Sequence, residues 1–246
     1  MCRHLSYLGR PTTLAELLID PPHALLRQSW APHDMRGGGT INADGFGVGW
    51  YAEDPDAPIR YRRASPMWTD TGFADFARVT RSSAVLAAVR SATVGLPVSE
   101  SATAPFASGR WLFSHNGVVP GWPQSVAKLA ESLPVVDLLT LDAPTDAALL
   151  WALVRHRLRA RAQPAEVLRS VVADVCAAAP ESRLNLLLSD GRSTFATAVG
   201  HALSVRRTDA AVVVASEPFD TAAGWTEVPD HHLVVADPTT YYVEPL

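Results

Sequence analysis

The chain has 246 residues, 48% of them hydrophobic, and a formal net charge of -4. This length and composition suit one large domain with a sizeable core, and we expect residues 2–246 to form that single domain after removal of Met1. The basic residues are spread along the chain, which argues against a nucleic-acid-binding surface. Lys128 is the only lysine, so a Walker A phosphate loop or a lysine Schiff base has almost no candidate residue.

The sequence has neither the pattern of a membrane span nor that of a secretory signal. Its apolar runs, such as residues 210–215, are too short to cross a bilayer, and the N-terminus lacks an apolar signal core. We therefore expect a cytoplasmic protein without a membrane partner. Cys2 and Cys176 are not expected to form a disulfide in a reducing compartment. Cys176 shares a predicted helical face with Leu168 and Val175, which indicates a structural role.

The first half of the chain predicts short strands and helices. A strand over residues 2–9 precedes a short helix capped by Thr12 or Thr13. A glycine-rich stretch, residues 37–45, then leads into a predicted hairpin. The elements expected after it are strands over 46–51 and 59–63, a helix over 73–79, strands over 84–89 and 110–114 flanking a loop at 91–109, and a helix over 124–132.

The second half predicts two longer helices followed by a series of strands. The first helix begins after the N-cap residue Thr145, which follows Pro144, and the second covers residues 164–178. Turn signals at short spacing in the remainder are typical of antiparallel sheets. The strands expected there cover residues 184–188, 193–198, 202–206, 211–216, 233–236 and 241–243.

The first candidate for chemistry is Cys2, which directly follows Met1. If Met1 is removed, as a small second residue favours, the mature chain begins with a thiol and a free α-amine on one residue. An α-amine titrates at about 7.7 to 8.0, so it can accept the thiol proton near neutral pH. Terminal amines act as bases in such nucleophile pairs. The alternative is that Cys2 is a small hydrophobic residue at the start of an edge strand.

Five segments together resemble class II glutamine amidotransferase domains, and they occur in the family's order. They are M-C-R-H-L, G-G-G-T-I-N-A-D-G-F-G-V-G-W-Y, V-R-S-A-T-V-G, S-H-N-G and T-D. That family belongs to the N-terminal-nucleophile hydrolases. The resemblance implies an α+β fold, a four-layer αββα sandwich with two mainly antiparallel sheets. It also implies an amidohydrolase that cleaves a small-molecule γ-glutamyl amide through a thioester on Cys2.

The resemblance assigns roles in binding the amino-acid head of the substrate. Arg90 is implied to form a bidentate contact with the α-carboxylate, and Thr93 falls where the family has a carboxylate-binding threonine. Asp146 is implied to pair with the α-ammonium group. Val94 stands where some members of the family have histidine. The structural alternatives are a surface ion pair for Arg90 and, for Asp146, stabilisation by the helix dipole alone.

The resemblance also assigns an oxyanion hole. The side-chain amide of Asn116 and the backbone N–H of Gly117 are implied to converge on the oxygen that becomes negative. The alternative for this dipeptide is an ordinary hairpin turn. His115 is interpreted as a structural neighbour, because the α-amine already serves as base. Arg3 and His4 match family positions without a clear chemical duty.

Within the family, the chain contains no synthase segment, so we expect a free-standing amidohydrolase. Its start, M-C-R-H-L-x-Y-L-G, is similar to that of the ergothioneine-biosynthesis amidohydrolases, which remove glutamate from a γ-glutamyl hercynylcysteine sulfoxide. Contacts to the leaving group are expected near the glycine-rich stretch and Trp122. No cofactor or metal is implied, because the histidines show no H-E-x-x-H or comparable spacing. The oligomeric state is not predicted.

Three other functions stay open at this point. A glutaminase subunit that passes ammonia to a separate synthase would have the same site. A non-catalytic γ-glutamyl-binding protein would result if Met1 is retained and blocks the amine of Cys2. A serine hydrolase using Ser114 and His115 is disfavoured, because adjacent strand residues point to opposite faces and no G-x-S-x-G motif is present.

Overall fold

The computed structural model describes residues 2–34, 36, 41–52 and 57–246. Met1 and residues 37–40 of the glycine-rich stretch lie outside the described residues, so the expected removal of Met1 is not tested by the structure. Within the described part of the chain, thirteen strands form two antiparallel sheets. No helix in that part is long and apolar enough to cross a membrane.

The first sheet has seven strands, with the N-terminal strand β1 at its centre. In spatial order the strands are β11 (Trp225–Glu227), β9 (Ser204–Arg207), β10 (Ala211–Ala215), β1 (Arg3–Thr13), β4 (Arg81–Val89), β2 (Phe46–Trp50) and β3 (Ile59–Arg63). On β1, Leu5 pairs with Ala215 on one side and Ala87 on the other. The expected hairpin of β2 and β3 is confirmed. Cys2 directly precedes β1 and therefore leads into a central strand, not an edge strand.

The second sheet has six strands. In spatial order they are β13 (Tyr241–Pro245), β12 (His232–Ala236), β8 (Thr194–Ala198), β7 (Arg183–Ser189), β6 (Trp111–Val118) and β5 (Phe106–Ser108). On β6, Asn116 pairs with Asn185 and Gly117 with Leu184 of β7. The His115-Asn116-Gly117 sequence therefore lies inside a paired strand, and the hairpin-turn alternative is wrong.

Helices cover the outer face of each sheet. They are α1 (Leu14–Leu18), α2 (Leu25–Gln28), α3 (Thr71–Val79), α4 (Ala127–Ala130), α5 (Val135–Leu139), α6 (Asp146–Arg159) and α7 (Pro164–Ala178). The α1 helix begins at a capping box in which Thr13 and Glu16 bind each other's backbone N–H groups. As predicted, Thr145 caps α6 by accepting the N–H of Ala148.

Three apolar layers hold the fold together. One lies between the first sheet and α1 to α3, where Leu5 and Val85 pack against Phe73. Another lies between the two sheets and includes Leu86 and Leu187. The remaining one joins the second sheet to α6 and α7; its members include Phe113, Leu186, Trp151, Val171 and the partly buried Cys176. Helix, sheet, sheet and helix thus follow one another, which confirms the expected αββα arrangement.

Several predicted boundaries differ from the structure, and short elements account for most of the differences. The β6 strand continues to Val118, and three residues of the expected 91–109 loop form β5. The expected helix over 124–132 is a 3₁₀ turn, Gln124–Val126, followed by the single turn of α4. Neither α5 nor β11 was predicted. Elements of three to five residues carry little periodicity of their own, so tertiary pairing decides whether they form.

Candidate active site

Six of the seven predicted site residues, including the candidate nucleophile, surround one narrow cavity. They are Cys2, Arg90, Thr93, His115, Gly117 and Asp146, which come from the starts or ends of several elements. This Cys2 cavity has a volume of about 40 Å³. Because one water molecule needs roughly 10–15 Å³ by this measure, it holds about three. A γ-glutamyl head group is larger, so its binding requires the lining residues to move.

Arg90 enters the Cys2 cavity from the end of β4. Its backbone is fixed on both sides, since its N–H donates to Gly45 O (2.7 Å) and its carbonyl accepts from Asp44 N (2.9 Å). The side chain is buried, and Nη1 donates to Pro97 O at 2.9 Å. No carboxylate in the described part of the chain lies within ion-pair distance of this guanidinium. A surface ion pair is therefore a poor account of Arg90, whose charge is available for an anionic ligand.

The segment that follows β4 carries Thr93 and Val94. Thr93 is exposed and lines the Cys2 cavity, and its carbonyl accepts the N–H of Leu96 in a turn. Val94 is fully exposed. The start of the segment is bonded to the residues that precede β2, because Asp44 Oδ2 accepts the N–H of Ala92 at 2.7 Å.

Asp146 is the first residue of α6 and has both predicted features, a helix-start position and a place in the cavity wall. Its Oδ1 accepts the N–H of Ala147 (2.8 Å), and its Oδ2 accepts the N–H of Val119 (3.1 Å). The carboxylate is buried and has no Lys, Arg or His partner within the described ranges. Two neutral donors leave its charge uncompensated, which suits a cationic ligand group.

Asn116 differs from the other predicted site residues, because its side chain points away from the face that bears His115. Nδ2 lies 3.4 Å from Ser216 Oγ, and Oδ1 is buried without a hydrogen-bond partner in the described structure. Asn116 does not line the Cys2 cavity as the structure stands. One of its amide hydrogens faces Ser216, which leaves the other for a ligand oxygen.

Gly117 and His115 meet the neighbouring strand β7 at Arg183. A Cβ atom at position 117 would lie 1.8 Å from Arg183 O, so only glycine fits there. His115 Nε2 lies 3.0 Å from the same carbonyl oxygen, which can only accept a hydrogen bond, so Nε2 carries the proton. This contact agrees with a structural role for His115.

Ser114 pairs with His4 and not with His115. His4 Nδ1 lies 3.2 Å from Ser114 Oγ, and both side chains are buried between the sheets. Burial lowers the pKa of His4 to about 3, so its imidazole is neutral at physiological pH. The backbone of His4 forms a reciprocal contact with Ser216, because His4 N donates to Ser216 Oγ (3.0 Å) and Ser216 N donates to His4 O (2.9 Å).

Arg3, to which the sequence assigned no role, binds the backbone of Cys2. Its Nη1 donates to Cys2 O at 3.1 Å, and its Nε lies 3.7 Å from Glu217 Oε1. Glu217 also accepts N–H groups from His33 (3.0 Å) and Asp34 (2.7 Å). Burial alone would raise the pKa of Glu217, but hydrogen bonds from His23 and Asp34 and the charge of Arg3 lower it. The carboxylate is thus ionised and fixed.

Ser216 and Glu217 were not predicted from the sequence. They directly follow β10, whose five residues are all buried and apolar. A polar residue placed directly after a buried strand is the signal that singled out Arg90 after β4. The same signal applied to residues 211–217 would have found both, although not their partners, because those lie about 200 positions away in the chain.

Two further cavities flank the site. The Arg27 cavity, about 930 Å³, has lining residues that include Arg27, Arg36, Ser216, Glu217 and Trp225. The Trp122 cavity, about 600 Å³, shares Thr93, Leu96 and Asp146 with the Cys2 cavity. Trp122 therefore lies on the side of the residues implied to hold the glutamyl head. No group of three His, Cys, Asp or Glu residues suited to a metal ion occurs among the residues described.

Comparison with known families decides the broad class. The profile of the class II glutamine amidotransferases matches residues 22–209. The chain belongs to the class II glutamine amidotransferase family. This confirms the resemblance carried by the five sequence segments, and it agrees with the cavity at Cys2.

Two relatives that match over most of their length carry the same name. A protein from Mycolicibacterium smegmatis named gamma-glutamyl-hercynylcysteine sulfoxide hydrolase is 41% identical over 246 residues, covering 100% of both chains. A protein of the same name from Mycobacterium tuberculosis strain H37Rv is 43% identical over 234 residues, covering 95% of this chain and 92% of the relative.

Solved structures support the fold. A glutamine aminotransferase class-II domain protein from Silicibacter pomeroyi matches with a TM-score of 0.71 and 24% identity, covering 100% of this chain and 99% of that one. The glutamine phosphoribosylpyrophosphate amidotransferase of B. subtilis matches with a TM-score of 0.64 and 14% identity. That alignment covers 99% of this chain and 49% of the other, which carries further sequence.

Proposed function

We propose that this chain is an amidohydrolase that releases glutamate from γ-glutamyl hercynylcysteine sulfoxide in ergothioneine biosynthesis. The observation that carries the proposal is the gathering of Cys2, Arg90 and Asp146 around one cavity. A nucleophile, an unpaired cation and an uncompensated carboxylate match a γ-glutamyl group, which offers an electrophilic carbonyl, an α-carboxylate and an α-ammonium. The names of the full-length relatives support the choice of leaving group.

The proposed reaction proceeds through two acyl transfers. After removal of Met1, the α-amine of Cys2 takes the thiol proton and the thiolate attacks the γ-carbonyl carbon. Asn116 Nδ2 and the Gly117 N–H stabilise the oxyanion of the tetrahedral intermediate. Its collapse breaks the C–N bond, and the ammonium of Cys2 returns the proton to the leaving amine. Water then hydrolyses the thioester to glutamate, with the amine of Cys2 again acting as base.

The head group is held by opposite charges at its two ends. In the proposal, Arg90 forms a bidentate contact with the α-carboxylate, Thr93 adds a hydroxyl donor, and Asp146 accepts the α-ammonium group. Binding would compensate two buried charges that have no ionic partner within the described ranges. The exposed turn at residues 91–97 would move outward to admit the substrate, breaking the contact between Arg90 Nη1 and Pro97 O.

The nucleophile is tested by mass spectrometry of the intact protein with a γ-glutamyl electrophile. We expect a mature N-terminus at Cys2 and a single label on that residue. We also expect Cys2→Ala and Cys2→Ser to lose all or nearly all turnover while keeping the parent melting temperature. An active Cys2→Ala protein, or full activity in a protein that retains Met1, would contradict the proposed mechanism.

The leaving group is tested by comparing substrates. For the hercynylcysteine sulfoxide conjugate we expect kcat/KM to exceed that for glutamine by at least about 100-fold, or about 3 kcal/mol of transition-state binding. Binding energy from the remote half of the substrate raises turnover at the reacting carbonyl. Equal or better turnover of glutamine would favour instead a glutaminase subunit that supplies ammonia to a separate synthase.

A further inference from the structure

The Arg27 cavity takes no part in the mechanism above, yet it lies next to the reacting groups. Ser216 lines it, and Ser216 Oγ is 3.4 Å from Asn116 Nδ2, the proposed oxyanion donor. Asp34 also lines it, and the Asp34 carbonyl accepts a hydrogen bond from Arg3, which donates as well to Cys2 O. Two separate contacts therefore connect this cavity with the nucleophile and the oxyanion donor.

The Arg27 cavity is separate from the head-group site. It shares no lining residue with the Cys2 cavity or the Trp122 cavity. A substrate whose glutamyl head occupies the Cys2 cavity must direct its leaving group away from Arg90 and Asp146. The Arg27 cavity is the described space whose lining includes Ser216, the side-chain partner of Asn116.

The lining of the Arg27 cavity carries both signs of charge. Four carboxylates and two guanidinium groups face it, together with imidazoles and one indole. These residues are Asp34, Glu217, Asp220, Glu227, Arg27, Arg36, His23, His33 and Trp225. The imidazoles of His23 and His33 stack in parallel with their centroids 3.6 Å apart. A space of about 930 Å³ lined in this way suits a large zwitterion and is not needed to release ammonia.

Most of the charged side chains in the cavity lining have ionic partners. Those without a partner mark where a charged ligand can bind. Arg36 bridges Asp34 (3.1 Å) and Glu227 (2.5 Å), and the side chain of Glu227 stays largely exposed. Arg27 differs, because no carboxylate of the described residues lies within ion-pair distance of it. Its guanidinium lies over the ring of Trp30 at 5.4 Å. Arg27 is thus available for a carboxylate, while the excess of acidic groups around Glu227 favours a cation.

We propose that the Arg27 cavity is the leaving-group subsite, built for a zwitterion that carries a fixed cation and a carboxylate. This inference rests on the proposed function. The leaving hercynylcysteine sulfoxide has a quaternary ammonium group and carboxylates. Arg27 binds a carboxylate of the leaving group, and Glu227 faces its cation. Binding energy gained here is used at the scissile carbonyl, which is how the enzyme distinguishes its substrate from glutamine.

The test compares two substrates on variants at the outer part of the cavity. Arg27→Ala and Glu227→Gln change residues that take no part in the proposed chemistry. Each should lower kcat/KM for the hercynylcysteine sulfoxide conjugate about 10-fold and leave glutamine turnover within about twofold, since glutamine does not reach the cavity. Arg78→Ala, a matched change of an exposed arginine on α3, should alter neither substrate. Hercynine should inhibit the parent enzyme and inhibit Arg27→Ala more weakly.

The outcomes separate the two proposals. If the parent enzyme does not prefer the conjugate over glutamine, the proposed function fails and this inference falls with it. If the parent prefers the conjugate but both variants keep that preference, or lose activity on both substrates equally, the proposed function stands and the subsite assignment is wrong.

Discussion

Asn116 depends on a contact with a distant segment, and no local pattern reveals that pairing. Its amide faces Ser216 Oγ, and the same oxygen accepts the backbone N–H of His4 at 3.0 Å. Holding one amide hydrogen fixes the direction of the other, and a fixed donor stabilises charge without reorganisation at the moment of reaction. In the proposed mechanism, Ser216 is therefore a positioning residue for the oxyanion hole.

Two variants test this arrangement. Asn116→Ala should lower kcat by roughly 100- to 1000-fold with a smaller effect on KM, because the hydrogen bond strengthens only as charge develops. Ser216→Ala should lower kcat by a smaller factor, about 10-fold, with KM nearly unchanged, and Ser216→Thr should restore much of the loss. Steady-state kinetics measure both. A change confined to KM would assign Asn116 to ground-state binding.

Asp146 combines a structural and a ligand-binding position, and the two can be measured separately. We expect Asp146→Asn to lower kcat/KM for γ-glutamyl substrates at least about 10-fold, mainly through KM, because the α-ammonium loses its counter-charge. Loss of the helix-dipole contribution should cost only about 0.3–1 kcal/mol of unfolding free energy. Glu166→Gln, in the first turn of α7, is the matched control and should affect stability alone. Full activity in Asp146→Asn would show that Asp146 only stabilises the start of α6.

At the level of elements, the close contact between β6 and β7 determines the position of the strand that carries Asn116 and Gly117. Position 117 lies against Arg183 O so closely that a methyl group cannot fit. We expect Gly117→Ala to separate the two strands and to cost about 1–3 kcal/mol of stability, together with a large loss of kcat because Asn116 is displaced. Thermal melting and kinetics together measure this.

Gly72→Ala provides the matched control for that substitution. Gly72 lies in α3, and the nearest atom to an added Cβ is 3.6 Å away. Its stability should stay the same or rise by up to about 1 kcal/mol, since alanine is the better helix former. A Gly117→Ala protein as stable and active as this control would contradict the strand-contact argument.

The sequence predicted those elements that carry their own signals. The capping residue Thr145 located the start of α6, and unbroken apolar runs located β4 and β10. The order of strands within the sheets and the three-residue strands β5 and β11 did not follow from the sequence, because pairing between distant segments decides them. The same distinction applies to the site: Arg90 was found from its position after a buried strand, whereas the partners of Ser216 exist only in the folded chain.

At the scale of the whole molecule, two buried histidines make stability depend on pH. Burial lowers the pKa of His4 to about 3, and burial together with the charges of Arg183 and Arg3 lowers that of His201 to about 3. The ordinary value is 6.5, so between pH 6.5 and 3 the unfolded chain binds protons that the folded chain does not. Stability therefore falls as the pH falls, by up to about 1.4 kcal/mol per pH unit for each histidine. Glu217, with its lowered pKa, adds a further loss below pH 4.5.

Urea unfolding at pH 6.5 and 4.5 measures this dependence. We expect the His201→Asn variant to lose about 2–3 kcal/mol less than the parent over this interval, because it no longer has a buried imidazole to protonate on unfolding. His231→Asn, at an exposed position with φ of 55° that asparagine tolerates, should keep the parent slope. Identical slopes for the parent and the His201→Asn variant would contradict the assignment.

The central place of β1 has a consequence for how the protein matures on the ribosome. Leu5 pairs with Ala215, so β1 cannot form its pairing with β10 until a segment 210 positions later in the chain has been synthesised. At about 5–20 residues per second, translation keeps the N-terminus without that partner for roughly 10–40 s. During this interval β1 can pair with β4 but lacks its neighbour β10, so the removal of Met1 that we propose takes place on an incomplete sheet. We therefore expect trimming to precede completion of the first sheet, and activity to require synthesis of the chain beyond residue 215.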